Sequence, residues 1–331
     1  MATLYLTEQH SYVHKDGETL VVRKADKSKV TVPLLKVDQV VVLGNVTLSA
    51  AVIEMLLDGG TEVCFCTKWG RFRGRLAGDW TKNSLVRLEQ HRVHGDPARS
   101  LMLARQFVWA KLSNMRTVLL RANRKRASSE ISQACVRLKN AAETALGAKR
   151  ADQLLGIEGS GSAAYFGVFG QLITAPFEFH GRVKRPPRDP VNALLSLGYT
   201  ILIHNLCSAA STVGMDPYLG FFHSSQYGKP ALALDIAEEF RPVVVDSTVL
   251  TVVNNRMLSL ADFDDQLGSV WLGDAARKKY LTALEERLNT EIEHPVFGYR
   301  ATYRRCLELQ MRLAAKYLTG DIPAYVPFRV R

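Results

Sequence analysis

Within the stretch Gly220 to Pro242, GFFHSSQYGKPALALDIAEEFRP, a histidine is followed by three carboxylates at helical spacing. At about 100° per residue, Asp235, Glu238 and Glu239 share one narrow sector of a helix, while Leu232, Ala233, Ile236, Ala237 and Phe240 take the other side. A loop carrying His223 runs into that helix, so an imidazole can meet the carboxylates and complete a mixed nitrogen and oxygen site for a divalent metal. Taken alone, the pattern reads first as a solvated acidic face with a loop histidine beside it. The rest of the chain decides between the two.

A second chemical stretch is LLGIEGSGSAAYFGVFG, where Glu158 stands among apolar and small residues. Gly156 and Gly159 beside it are expected to allow close backbone approach, and Tyr165 and Phe166 follow two turns later. A glutamate in such surroundings is costly to bury unless it is paired or holds a cation. A helix-start glutamate stabilised by the helix dipole is the competing reading. His180, His204 and His294 are expected to be structural, His204 because it sits on an apolar helix.

The elements that must position these residues divide the chain in two. Residues 3 to 46 hold short runs rich in valine, leucine and tyrosine, broken by turn chemistry such as Asp16-Gly17, and read as strands. Leu48 to Leu57 reads as a short helix ending at Gly59-Gly60, and Thr61 to Thr67 and Arg71 to Leu76 as two more strands. From Ser84 to about Cys207 the apolar residues recur at three and four with long glycine-free and proline-free segments, which is a helical texture. The expected fold is α+β: a small β-rich domain over residues 1–80, then a larger all-helical domain over residues 81–331.

Composition narrows the partners. The chain has 331 residues, 47% of them hydrophobic, and a net charge of +11, with a pI near 9.5. A field of that sign draws polyanions, nucleic acid before an anionic membrane surface. Membrane embedding is not expected, because the most apolar run, Ala193 to Ile203, is well short of the roughly 20 residues that span a bilayer. MATLYLTEQH shows no basic segment ahead of an apolar one, so no secretory leader is expected there. Cys64 and Cys66 are read as pointing to opposite faces of a strand, and Cys135, Cys207 and Cys306 stand alone. All five are expected as buried thiols in a reducing cytoplasm, with no zinc-ligand spacing.

The charges are also segregated. Between Asp96 and Glu130 there is no acidic residue, yet Arg99, Arg105, Lys111, Arg116, Arg121, Arg124, Lys125 and Arg126 lie there, and Arg182, Lys184, Arg185 and Arg188 follow as a second cluster. Solvated helix faces usually mix both signs. A one-sign surface suits sequence-independent binding of a nucleic-acid backbone through counterion release.

Several of these stretches together resemble one family. Glu158-Gly159 with Tyr165-Phe166, then Arg185-Pro186-Pro187 with Asp189-Pro190-Val191-Asn192-Ala193-Leu194-Leu195-Ser196, then Gly220 to His223, then Asp235-Ile236-Ala237-Glu238-Glu239-Phe240-Arg241-Pro242 are similar to CRISPR-associated (Cas) protein one, the metal-dependent DNA endonuclease and integrase of spacer acquisition. The similarity runs in order to about residue 255. It implies Glu158, His223 and Glu238 as ligands of one catalytic divalent metal, Mn²⁺ or Mg²⁺, with Asp235 as a supporting acidic position. Two features depart from the pattern. Gly161-Ser162 replaces the more usual alanine pair and is expected to loosen the helix after Glu158, and Val243 to Val253 reads as a strand by propensity where the family implies helix.

The resemblance further implies double-stranded DNA as partner, a homodimer formed through the β-rich domain, and assembly with the small Cas protein two. Arg121, Arg124, Lys125, Arg126, Arg182, Lys184 and Arg185 are the candidate DNA-binding residues. Lys229 and Arg241, which flank the site, read equally as phosphate contacts or as surface charges. Two other classes stay open: a non-catalytic DNA-binding scaffold with a structural metal, and a metal-dependent RNase.

Overall fold

One sheet with two buried faces joins the strand-rich start of the chain to the helices that follow. The computed structural model describes residues 3–330 except Arg71, Asp79, Trp80, Lys82, Lys125, Ala175, Lys184, Arg185, Ser225 and Leu267. Eight strands come first: β1 (Thr3–Leu6), β2 (Ser11–Asp16), β3 (Thr19–Arg23), β4 (Lys29–Pro33), β5 (Gln39–Leu43), β6 (Val46–Leu48), β7 (Glu62–Cys66) and β8 (Phe72–Leu76), with helix α1 (Ala50–Asp58) between β6 and β7. They form two four-stranded sheets, ordered β1-β5-β7-β8 and β4-β3-β2-β6. In the first, β1, β5 and β7 are parallel and β8 closes the edge antiparallel.

Strand β5 explains the arrangement. Its five residues QVVVL are all buried, as expected of a parallel strand covered on both faces. Val40 and Val42 enter a small core with Leu6, Val13, Leu20, Val52, Leu56 and Val63. Val41 and Leu43, with side chains on the other face, enter the large core of the helical portion.

That portion is built from α2 (Ser84–His94), α3 (Pro97–Asn123), α4 (Ser129–Leu146), α5 (Ala151–Phe169), α6 (Pro190–Val213), α7 (Ala231–Phe240), α8 (Ser247–Asn254), α9 (Asp274–Leu288) and α10 (Tyr303–Thr319). Two antiparallel ribbons, β9 (Phe263–Gln266) with β10 (Ser269–Leu272) and β11 (Glu291–Glu293) with β12 (Arg300–Thr302), lie among these helices, so the portion is helical but not all-helical. The long helix α3 starts where Asp96 accepts from the backbone N–H groups of Ala98 and Arg99 ahead of a first-turn proline, a strong start signal. It packs against α4, α5 and α7, and so underlies every element that carries the site.

Helix α6 spans 24 residues and is long and apolar enough to cross a membrane, but 67% of its apolar window is buried inside the protein. It is a core helix, capped by Asp189 and ended by Gly214 at φ 93°. The propensity reading of Val243 to Val253 as a strand is corrected. Arg241–Asp246 forms a π-helical turn and α8 continues it to Asn254. Val243, Val244, Val245, Val249, Val252 and Val253 are all buried, so tertiary packing overrides the preference of β-branched residues.

Candidate active site

Helix α7 carries no solvated acidic face. Asp235, Glu238 and Glu239 are each at most 1% exposed, and they serve three different tasks. Asp235 closes the loop before α7: its Oδ2 accepts from the N–H of Phe221 at 2.6 Å and of Phe222 at 3.0 Å, and its Oδ1 from the N–H of His223 at 2.9 Å. Oδ1 also lies 2.7 Å from His223 Nδ1. A carboxylate accepts, so Nδ1 carries the proton and Nε2 presents its lone pair, the arrangement by which an acid orients a metal-binding imidazole. Gly220 makes the approach possible, since a Cβ there would lie 2.7 Å from Asp235 Oδ2 and 2.7 Å from the Ala231 carbonyl carbon.

Glu239 leaves the cluster. It accepts from Tyr325 Oη at 2.5 Å, the Phe328 N–H at 2.6 Å and Gln310 Nε2 at 3.0 Å. Burial pushes its carboxyl up to about 8 against the pull of those bonds. It anchors the segment after α10, and the sector shared with Glu238 on a helical wheel is not a shared site.

Glu238 is the centre of the site. Its Oε1 accepts from Arg241 and lies 3.7 Å from His223 Nε2. Its Oε2 lies 2.6 Å from Lys111 Nζ, yet no hydrogen-bond donor is aligned on that buried oxygen. Burial raises the Glu238 pKa, but the Arg241 and Lys111 cations and His223 outweigh it and hold the carboxyl down at about 2. The Lys111 ammonium also donates to Glu158 Oε1, which accepts from Ser162 Oγ at 2.8 Å as well. Burial lowers the Lys111 pKa, and the two glutamates more than reverse that, so it stays above the usual lysine value.

Glu158 of α5 and Glu238 of α7 therefore meet at Lys111 of α3, and His223, on the loop before α7, approaches the other Glu238 oxygen, the one that Arg241 binds. The donor set, two carboxylates and one imidazole, fits a divalent cation such as Mn²⁺ or Mg²⁺. Among the described residues, the compact group of metal-type ligands is a different one, Cys64, Cys66 and His204.

Glu158 sits in the middle of α5, not at a helix start. Gly156 and Gly159 meet nothing within 4 Å, so they approach no backbone of this chain and leave the helix surface beside Glu158 bare. Gly161 lets α3 pack closely, since a Cβ there would collide with Leu112 of α3, and the neighbouring Ser162 donates to the Glu158 carboxylate. Asp246, which no local sequence signal marks, is fully buried and accepts from Tyr165 Oη at 2.9 Å and Tyr199 Oη at 2.5 Å. Burial raises its carboxyl to about 6.

The described basic residues occupy several different settings. Lys111 belongs to the buried site rather than to a basic surface. Arg182 and Arg241 both lie over the Tyr199 ring, 5.4 and 5.2 Å from its centroid, and Arg182 also donates to Asn192 Oδ1 at 2.7 Å and Ser196 Oγ at 3.0 Å. Arg121 and Arg124 line a surface cavity of about 370 Å³ with Arg116, Lys139 and Arg329. Arg126 donates to the carbonyls of Gln171 and Leu172, and Lys229 is half-buried on the loop into α7. Lys125, Lys184 and Arg185 lie outside the described residues.

Fold and site together define an α+β protein whose helical portion gathers a carboxylate–imidazole cluster beside a buried lysine. Residues 4–286 match the family model described as CRISPR associated protein Cas1, and the chain belongs to that family. It is 38% identical over 333 residues to CRISPR-associated endonuclease Cas1 3 of Thermus thermophilus, covering 100% of this chain and 98% of the relative. Among solved structures it is similar to a casposase bound to integration product, with a TM-score of 0.86 at 21% identity over 98% of this chain and 93% of that one. It also matches a chain of a Cas6-RT-Cas1–Cas2 complex, with a TM-score of 0.80 at 26% identity over 100% of this chain and 36% of that one.

Proposed function

We propose that this chain is a divalent-metal-dependent DNA endonuclease and integrase of CRISPR spacer acquisition, joining short DNA fragments to a repeat array through attack of a DNA 3′-hydroxyl on a phosphodiester. The observation that carries the reading is that Glu158 and Glu238 meet at a buried cation while His223 Nε2 faces the other Glu238 oxygen, in a chain of the Cas1 family. Glu158, His223 and Glu238 would hold Mn²⁺ or Mg²⁺. A cation held there supplies Lewis-acid polarisation of a phosphodiester and eases deprotonation of the attacking oxygen.

The chain's own groups prepare the site. Asp235 fixes the His223 tautomer, Ser162 and Lys111 orient Glu158, and Arg241, stacked over Tyr199, orients Glu238. The bare α5 surface at Gly156 and Gly159 gives a phosphate backbone room to reach Glu158. Water and a 3′-hydroxyl differ only as attacking oxygens, so position selects between them. The partners of this reading are double-stranded DNA, a second copy of the chain bound through residues 1–80, and Cas2, in the cytoplasm, with residues 81–331 as the catalytic and DNA-binding domain.

The protein, with Mn²⁺ or Mg²⁺ and Cas2, is expected to join a short duplex to a supercoiled plasmid carrying a repeat, and to fail with a duplex blocked at both 3′ ends. Equal plasmid nicking with either duplex and no joined product on a labelling gel would reduce the activity to a nuclease. Cleavage of RNA in place of DNA would replace the substrate.

The cavity beside Arg121 and Arg124 supports a sequence-independent DNA contact. Changing Arg121, Arg124 and Arg329 together to glutamine is expected to weaken unrelated duplexes alike and to flatten the plot of log affinity against log salt by about 0.9 for each phosphate no longer neutralised. Fluorescence anisotropy over a salt series reads this; an unchanged slope returns the cluster to solvated surface.

A further inference from the structure

We propose that Cys64, Cys66 and His204 form a second metal site, for a thiophilic divalent cation such as Zn²⁺, which ties the strand-rich sheet to the core helix of the helical portion. Residues two apart on a strand share a face, so the reading that sends Cys64 and Cys66 to opposite faces is wrong. Their Sγ atoms lie 3.8 Å apart, on the face of β7 that enters the large core. Cys66 Sγ lies 3.9 Å from His204 Nε2 on α6, and all three ligand atoms fall within 4.8 Å of one another.

These separations match a tetrahedron. Bonds of about 2.3 Å to sulfur and about 2.0–2.1 Å to nitrogen imply ligand edges of about 3.8 Å between sulfurs and about 3.5 Å between sulfur and nitrogen. The sulfur edge is already in place, the Cys66–His204 edge needs a few tenths of an ångström, and the Cys64–His204 edge, within 4.8 Å, closes by at most about 1.3 Å, within reach of side-chain rotation. The local structure also holds the ligands. The β7–β8 ladder shifts register between Phe65 and Cys66, a bulge of the kind that re-aims side chains. The Phe72 ring packs on the His204 ring with centroids 4.7 Å apart.

The chemistry separates this site from the Glu158–His223–Glu238 cluster. Two thiolates and an imidazole select Zn²⁺ over Mn²⁺ or Mg²⁺. On binding, two S–H bonds break and their protons leave to solvent, two sulfur–metal bonds form, and the neutral His204 donates its Nε2 lone pair. Two thiolates neutralise a dication, so the complex can stay buried without net charge. A cavity of about 40 Å³, lined in part by Gln39, Glu62, Phe72, Arg75 and Cys207, has room for a water as fourth ligand. Arg75, which donates to Ser211 Oγ of α6 at 2.6 Å, already crosses the same junction, and the metal would add a second tie there.

The test is a Co²⁺ titration of the full-length protein, stripped by chelator and kept reduced. One equivalent of Co²⁺ is expected to produce a thiolate-to-cobalt charge-transfer band in the near ultraviolet that Zn²⁺ abolishes. Cys66→Ser and His204→Gln should lose the band, while Cys135→Ser and Glu238→Ala keep it. Should those variants misfold, wild-type protein answers instead: Zn²⁺ should shield Cys64 and Cys66 from a thiol-alkylating reagent in peptide mass spectra. Absence of the band in the wild type, its persistence in folded Cys66→Ser, alkylation unchanged by Zn²⁺, or a Cys64–Cys66 disulfide surviving reductant would each overturn the site.

Discussion

Glu238→Gln is expected to lower DNA cleavage and strand joining by about a thousandfold or more, some 4 kcal/mol of transition-state stabilisation, while duplex affinity hardly changes. Affinity rests on phosphate contacts spread over the basic surface, whereas Glu238 alone faces Lys111, Arg241 and His223 at once. Asp235→Asn gives the informative contrast. Both Asp235 oxygens are committed to the His223 ring and to three backbone N–H groups, so Asp235 acts as a positioning residue. The amide would donate to His223 Nδ1 and move the proton to Nε2, leaving the imidazole a poorer ligand. A loss of about 10–100-fold is expected, with part of the activity regained as Mn²⁺ is raised. Initial rates over a Mn²⁺ series decide: if Asp235→Asn follows Glu238→Gln at every concentration, Asp235 is a ligand in its own right.

Local chemistry made Glu158, His223 and the α7 carboxylates candidates, since such charges are expensive to bury without a partner, but the family resemblance, and not the residues alone, singled out Glu158, His223 and Glu238. The partner itself was hidden. Lys111 lies in an acid-free run on α3 and reads as one more phosphate-seeking charge, because nothing local says that α5 and α7 will bring glutamates to it. Glu239 shows the opposite failure: helical spacing places it with Glu238, but the tail after α10 supplies Tyr325 and Phe328 from nearly 90 positions away in sequence.

The fold followed the same rule. Strands with turn chemistry such as Asp16-Gly17, and the helical texture that starts at Ser84, were readable from local signals. Val243 to Val253 was not, because its fully buried surroundings and not its β-branched side chains choose the helix. Cys64 and Cys66 were misplaced by a wrong period, and the correction reveals a cluster that requires α6, more than 130 residues on, to complete it.

Lys111→Met carries the other large effect, and it separates stability from metal binding. The ammonium is 7% exposed and bridges two glutamates, so its removal leaves buried negative charge facing Arg241 and His223 and is expected to cost about 3–5 kcal/mol. Thermal midpoint should fall accordingly. A divalent cation entering the wild-type pocket has to displace the ammonium from both carboxylates, while in Lys111→Met it meets them uncompensated. Mn²⁺ is therefore expected to bind the variant at least about tenfold more tightly, a difference of about 1.4 kcal/mol, and to raise its midpoint more than that of the wild type, since ligand stabilisation grows as the logarithm of occupancy over Kd. Lys111→Arg, which keeps the charge, should show no such gain. Calorimetric titration with Mn²⁺ reads the affinity without any DNA. Weaker Mn²⁺ binding in Lys111→Met than in the wild type would mean that the lysine holds Glu158 and Glu238 in place for the cation instead of standing where the cation goes.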